Sequence, residues 1–496
     1  MAAVGPRVIV YELNEVPWDV VDIYVAARPQ SNLSRLLPGA MLRTTIDDDP
    51  VDLMPWRSWP TFHTSLFTPD HNSYDQGQDP ATFRGTPLWD VADAAGARVG
   101  LFGVLQSWPP KPFRNGGFYI PDSFARTAQT VPDSLRRFQA FNTAMTDENS
   151  FAPDRALSPL ELAKVSADLL LRGLSPRSVM LGLEQLVRER TDPRYASRRA
   201  VAQVLVCFDV FWRLHRRHTP NISIFFTNHV ASMMHRFWGD LMPSYREREA
   251  YAPDDVCGRF ILTAMDRFDH DLGKIVRWID RTPGSTLVIA SSMGQDAIPF
   301  HAMTATYVLG RAERMLEAFM IDAHMGVAMY PRITLMFKDE ESAAAAADHI
   351  RSATTAVGPL FRDLRVMGTT LSFEMGYAYD TAQLPREVTW VPAGGRARTA
   401  DISELGVVVR ERPGGGNTAQ HVPHGMLIAY GCGIEADGSR REVSVLDAAP
   451  SILALLGIDP APSMQGEPTM FAARGGGDRA FPEPSPTVHS LRARRR

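Results

Sequence analysis

The chain has 496 residues, 45% of them apolar and 22% charged, with a formal net charge of −4. That balance suits a globular protein and gives no electrostatic reason to expect nucleic acid as a partner. Cys207, Cys257 and Cys432 are too few and too scattered for a disulfide framework or a thiolate metal site, and they suit a reducing compartment. Residues 1–7 lack an apolar signal region, and the apolar run after them is too short to span a bilayer. The expectation is a cytoplasmic protein without a transmembrane segment.

Residues 8–13 form a continuous apolar run with one acid, as in a buried parallel strand. Asn14-Glu15-Val16-Pro17 breaks it, and residues 18–27 read as a helix. A second helix covers 32–37 and stops at Pro38-Gly39. Residues 86–95 have helical spacing and stop at Gly96, and 98–105 then read as a strand. This alternation predicts a doubly wound α/β fold, a three-layer sandwich around a mostly parallel sheet.

Residues 1–125 form the first part of that core. Residues 126–217, helical and rich in Leu and Arg, read as an insertion lying over the sheet edge as a cap. Its arginines are candidates to clamp a phosphoryl group. The core resumes over 218–330, with strands at 222–226 and 286–290 and a helix over 256–279. Residues 331–400 read as a small inserted βαβ unit (strand 332–337, helix 340–356, strand 361–366). The core closes over 401–474, with a strand at 426–430. The Gly-, Pro- and Arg-rich tail, 475–496, reads as disordered.

In an open sheet of this kind the site lies beyond the carboxyl ends of the strands. The loops there carry Asn14 and Glu15; Asn228, His229 and His235; Ser291, Ser292 and Gln295; and His421 and His424. Strand-end turns favour Asn and Ser in any case, but four of the chain's 13 histidines fall in these loops.

Seven segments carry a resemblance. VIVYELNEVPWDV with SNLSRLLPGAMLRTT, WRSWPTFHTSLFTPDHN, GTPLWDVADAAGARVGLFG, FFTNHVASMMHRFW, IASSMGQ, HVPHGMLIAYGCGI and VSVLDAAPSILALLGIDP resemble, in order and spacing, the alkaline phosphatase superfamily. The layout is most similar to its type I phosphodiesterase/nucleotide pyrophosphatase branch. The resemblance implies an alkaline-phosphatase-like fold and a phosphate ester or diester as substrate. It also implies two divalent ions, zinc or similar, one of them activating a Ser or Thr nucleophile.

The chain departs from that pattern at named positions. The opening Asp is Asn14, the Asp four residues before His235 is Ala231, and the Asp-His pair is Ser292-Met293. His235 and His421 match retained ligands. One metal site therefore keeps two imidazoles, and the other loses its Asp, Asp and His together. Glu15, Asn228, His229 and His424 are extra groups nearby, which either rebuild one site or hydrogen-bond within their loops. The candidate metal ligands are thus His235, His421, Asn14, Glu15, Asn228, His229 and Ser292, holding at most one ion. Ser58 is the first candidate nucleophile and Thr61 the second, and either suits a plain N-cap instead. Asn14, Ser58, His235, Ser292 and His421 should converge at one end of the sheet. Three functions are consistent with this pattern. One is a divergent phosphohydrolase or phosphodiesterase. The others are a transferase of a phospho-substituent to a glycan or lipid head group, and a pseudoenzyme that binds a phosphorylated ligand.

Overall fold

The central sheet is built around a strand buried on both faces. The computed structural model of the chain describes residues 5–147, 174–249, 251–300, 305–329, 331–376, 386–411 and 416–472. The sheet contains β1 (Arg7–Leu13), β2 (Met41–Ile46), β3 (Val99–Phe102), β4 (Gly117–Ile120), β5 (Ile222–Thr227) and β6 (Ser285–Ala290). β7 (Gly294–Ala297) and β8 (Ala419–Val422) pair with each other outside it, and β9 (Leu427–Gly431) and β10 (Asp437–Ser444) complete it. Its order is β10-β2-β9-β6-β1-β5-β3-β4. Every neighbouring pair is parallel except those of β9, which runs antiparallel to β6 and β2.

The side-chain period of two in β1 sorts its residues between two layers. Ile9, Tyr11 and Leu13 face one core, shared with α1 (Trp18–Ala27), α3 (Arg199–His218), α4 (His229–Leu241) and α5 (Phe260–Ile279). Val8 and Val10 face the other, shared with α2 (Pro55–Thr64), the helix Leu88–Ala94 and α6 (Ala448–Leu455). Glu12 is the next even position, and its carboxylate meets His63 Nε2 of α2 at 2.6 Å. The result is the three-layer α/β sandwich expected.

Two parts depart from expectation. The last helix of the helical segment, α3, is not a cap over the sheet edge. Phe208, Phe211 and Leu214 of α3 pack in the same core as β1, so this helix is a layer of the sandwich. Arginines of the segment pair with acids of the segment and of its neighbours: Arg188 with Glu184, Arg194 with Asp192 and Asp254, Arg199 with Glu189. Residues 148–173 of this segment, and the tail 475–496, lie outside the described residues.

The late insertion is larger and differently wound than a βαβ unit. Strands Arg332–Met336 and Phe361–Met367 flank the helix Glu340–Arg351 in sequence, but Thr370–Met375 lies between them, antiparallel to both. The unit has its own apolar core, from Leu309 to Val407, and Ala305–Leu309 pairs with Val407–Glu411 to close it. No described helix is long and apolar enough to cross a membrane.

Candidate active site

β1, β5 and β6 are parallel and in register, so their carboxyl ends present three loops at one edge. Leu13, Thr227 and Ala290 are the last residues of these strands. After Thr227, α4 starts at His229 and carries His235 on its second turn. After Ala290 the chain turns into β7, whose antiparallel pairing with β8 sets His421 opposite Gln295. Residues paired in this way point to the same face, and both side chains reach Glu15.

Glu15 is the centre of the site. It is 2% exposed, with a φ of 61°. A left-handed conformation of this kind strains a non-glycine residue by about 1 kcal/mol or more. It turns the carboxylate back under the sheet edge. Glu15 Oε2 lies 3.0 Å from His235 Nε2 and 3.4 Å from His421 Nε2. Gln295 Nε2 donates to the same oxygen, and Asn14 Nδ2 donates to Oε1 at 2.6 Å.

The tautomers follow from the other ring nitrogens. His235 Nδ1 lies 3.2 Å from the Ala419 carbonyl and His421 Nδ1 lies 3.1 Å from that of Leu53. A carbonyl only accepts, so each Nδ1 carries a proton and each Nε2 presents its lone pair to the cluster. Two imidazole lone pairs and a carboxylate oxygen, all within 4.8 Å of one another, repel unless a cation lies among them. Protons can supply that charge. Burial disfavours the Glu15 anion, but the facing His421 and His235 outweigh it and hold the carboxyl well below its usual range. Burial likewise disfavours a charged His421, yet Glu15 raises its pKa.

A divalent ion fits the same place. Two imidazoles and one carboxylate, each oriented by an outer hydrogen bond, are the donor set of catalytic zinc sites with an open fourth position. Glu15, which comes from the loop after β1, is tied to the start of α4 after β5 as well. The Ala231 carbonyl accepts at 3.2 Å from Gln295 Nε2, which in turn holds Glu15.

The other candidate ligands sit around this cluster rather than in it. Asn14 gives Nδ2 to Glu15 and to Asn228 Oδ1, and its Oδ1 accepts from Trp59 Nε1 at 2.7 Å. Asn14 and Asn228 thus orient Glu15. His229 points away from the sheet edge, toward the α5 backbone, with Nε2 3.1 Å from the Ala264 carbonyl. Burial there pushes its pKa down to about 3. Ser292 is fully buried, its Oγ without a partner, next to the fully buried Met293. His424 is exposed. Ser291 is structural: its Oγ donates to the Leu13 carbonyl and accepts from Val16 N–H.

The two candidate nucleophiles both lie on α2 and differ sharply. Pro60 lacks an N–H, which would orphan the Trp56 carbonyl; Ser73 Oγ donates to it at 2.8 Å instead. His71 Nδ1 accepts from Ser73 N–H, so His71 Nε2 carries the proton and donates to Thr61 Oγ1 at 3.1 Å. Thr61 hydroxyl donates to the Arg57 carbonyl at 3.2 Å. Its hydroxyl also lies 3.4 Å from Asp49 Oδ2, so Thr61 is engaged on three sides. Ser58 Oγ is buried and completes no hydrogen bond. Ser58 lies between Leu53, whose carbonyl holds His421, and Trp59, whose indole holds Asn14. Asn14, Glu15, Ser58, His235, Ser292 and His421 thus share one edge of the sheet.

Asp47 was not anticipated. It follows β2, which the sequence pattern also missed, and it is 3% exposed. Its carboxyl lies against the Ser58 hydroxyl, although neither Ser58 Oγ nor Asp47 Oδ2 completes a well-formed hydrogen bond. Three acids in a row, Asp47, Asp48 and Asp49, just before the nucleophile-like segment were the available signal.

No protein-family model matches the chain, and no curated protein does. Among solved structures, the chain is similar to murine ectonucleotide pyrophosphatase/phosphodiesterase 5, at 10% identity and a TM-score of 0.42, over 93% of this chain and 97% of that one. An inactive variant of that mouse protein was solved in complex with AMP. The chain is also similar to the alkaline phosphatase PafA, at 11% identity and a TM-score of 0.45, over 94% of this chain and 99% of that one. At these identities the likeness is one of chain path, and what the side chains do rests on their own geometry.

Proposed function

We propose that the chain is a hydrolase of phosphate esters or diesters that works with a single divalent ion, zinc or similar, and with Ser58 as nucleophile. The observation that carries this reading is the convergence of Glu15, His235 and His421, with ligand atoms within 4.8 Å of one another, at the sheet edge that also holds an unpartnered buried serine hydroxyl. Bound there, the ion would polarise a phosphoryl oxygen as a Lewis acid. Glu15, His235 and His421 would hold it; Asn14, Asn228 and Gln295 keep Glu15 in place. Met293 and Ser292, where the resemblance expects anionic and imidazole ligands, offer a hard ion little, which supports one ion rather than two.

The test is turnover of bis(4-nitrophenyl) phosphate by zinc-loaded protein, for wild type and for Ser58→Ala and His421→Ala. The expected result is slow turnover in wild type and none in either variant. Transfer of the phosphoryl group to an added alcohol in preference to water would make the protein a transferase. Binding of phosphate without turnover under any metal would make it a pseudoenzyme.

A further inference from the structure

The resemblance places a second ion beside the nucleophile to draw off its proton, and the residues that would hold that ion are Asn14, Ser292 and Met293. Asn14 is engaged with Glu15, Asn228 and Trp59, and Met293 is a buried apolar group. Something else must take the Ser58 proton if Ser58 attacks phosphorus. The geometry points to Asp47 as the general base for Ser58, a role that rests on the phosphoester-hydrolase reading above.

Three observations support it. First, Asp47 is placed by the backbone. It directly follows β2, its N–H donates to the Pro423 carbonyl at 3.0 Å, and Ile46 bridges His424. The strand end, the turn after His421 and the start of α2 therefore meet around it. Second, the groups are matched in what they lack. Asp47 Oδ1 accepts from Asp49 N–H at 3.1 Å, which leaves Oδ2 without a partner. Ser58 Oγ, facing that carboxyl, is unpartnered too. A buried acceptor and a buried donor side by side, neither used by the fold, are rare in proteins. Third, the surroundings tune the acid toward neutral pH. Burial raises the Asp47 pKa to about 6, Ser58 and the Asp49 backbone oppose this, and the neighbouring Asp49 and Asp48 carboxylates add to it. A base with a pKa in this range is both largely ionised and a competent proton acceptor at neutral pH.

The step balances with the groups present and water. The Ser58 hydroxyl proton passes to Asp47 as Oγ bonds to phosphorus. The bond from phosphorus to the leaving oxygen breaks, and its electron pair leaves with that oxygen. Water then attacks phosphorus, the P–Oγ bond breaks, Asp47 returns its proton to Oγ, and a water proton passes to solvent.

The experiment follows formation of the Ser58 adduct from bis(4-nitrophenyl) phosphate, by rapid quench and protein mass, in zinc-loaded wild type, Asp47→Asn, Asp47→Glu and Ser58→Ala. Asparagine keeps Oδ1 for the Asp49 N–H, and melting curves check that each variant is folded. In wild type the rate should rise as pH passes about 6. Asp47→Asn should slow adduct formation by about 10²–10³-fold, lose that rise, and keep the same zinc content. Asp47→Glu should restore part of the rate. Wild-type rates in Asp47→Asn, with Ser58→Ala inactive, would overturn the role of Asp47 and leave the hydrolase reading standing. Loss of bound metal in Asp47→Asn would overturn it too, by making Asp47 a ligand. Turnover by Ser58→Ala would overturn both readings.

Discussion

Two halves of the same sheet edge differ in what they offer a cation. On the side of His235 and His421 a buried carboxylate, Glu15, faces both imidazoles. Its strained backbone and four polar neighbours hold it between the two imidazoles. On the side of Asn14, Ser292 and Met293 the described residues gather no such cluster: an amide supports its neighbour, a hydroxyl is unpartnered, and a thioether is buried. The contrast teaches that what makes a cluster of donors is the set of outer hydrogen bonds that holds each donor atom in place.

The comparison breaks most easily at His421. His421→Ala should abolish zinc binding and turnover without unfolding the chain, since the residue lies on the short β8 outside the main sheet; elemental content and a melting curve check both. Asn14→Asp comes next, because it tests whether Asn14 is a support or a ligand. A carboxylate there would lose the hydrogen bonds that Asn14 donates to Glu15 and Asn228 and face the Glu15 anion instead. Stability of the metal-free protein should fall by about 2–3 kcal/mol, measured by denaturant unfolding. A more stable protein holding a second metal would show that the bare half can still be rebuilt. Gln295→Ala should weaken zinc affinity by about 10–100-fold, as expected for loss of an outer-sphere partner, read by competition with a chelating dye.

The smallest effect concerns Asp47. Its folded pKa lies above its unfolded value because of burial, so the folded state holds the proton more tightly. Stability should then fall as pH rises from about 4 to about 6 and stay reduced above that. Asp47→Asn removes this penalty and should stabilise the chain at pH 8 by about 1–2 kcal/mol, with little change at pH 4. Equal melting shifts at both pH values would show that the Asp47 carboxyl is not perturbed by burial.

Much of the fold was legible from periodicity. The continuous apolar run after Arg7 and the helix broken out of it by Pro17 are found where they were expected, as are the strands ending at Thr227 and Ala290. What escaped was polar. β2 holds Arg43, which is fully buried yet paired at 2.7 Å with Asp437, and β10 is an edge strand with mostly charged or exposed residues. Neither shows the apolar pattern that marks a strand. Missing β2 hid Asp47, which looked like part of an acidic loop. Glu15 stood among the candidate ligands and Gln295 in a strand-end loop, but how the two meet was hidden for another reason. It depends on a positive φ and on the β7–β8 pairing across more than a hundred residues, neither of which a local pattern encodes. His229 misled because the sequence places it at a strand end but not on a face of its helix.

The central claim is a single ion held by a buried carboxylate. Elemental analysis of purified protein, wild type beside Glu15→Gln, tests it most directly. Glutamine keeps the size of the side chain and removes its charge. The account predicts about one divalent ion per chain in wild type and none retained by Glu15→Gln after dialysis. Two ions per chain in wild type, or an undiminished ion in Glu15→Gln, would contradict it.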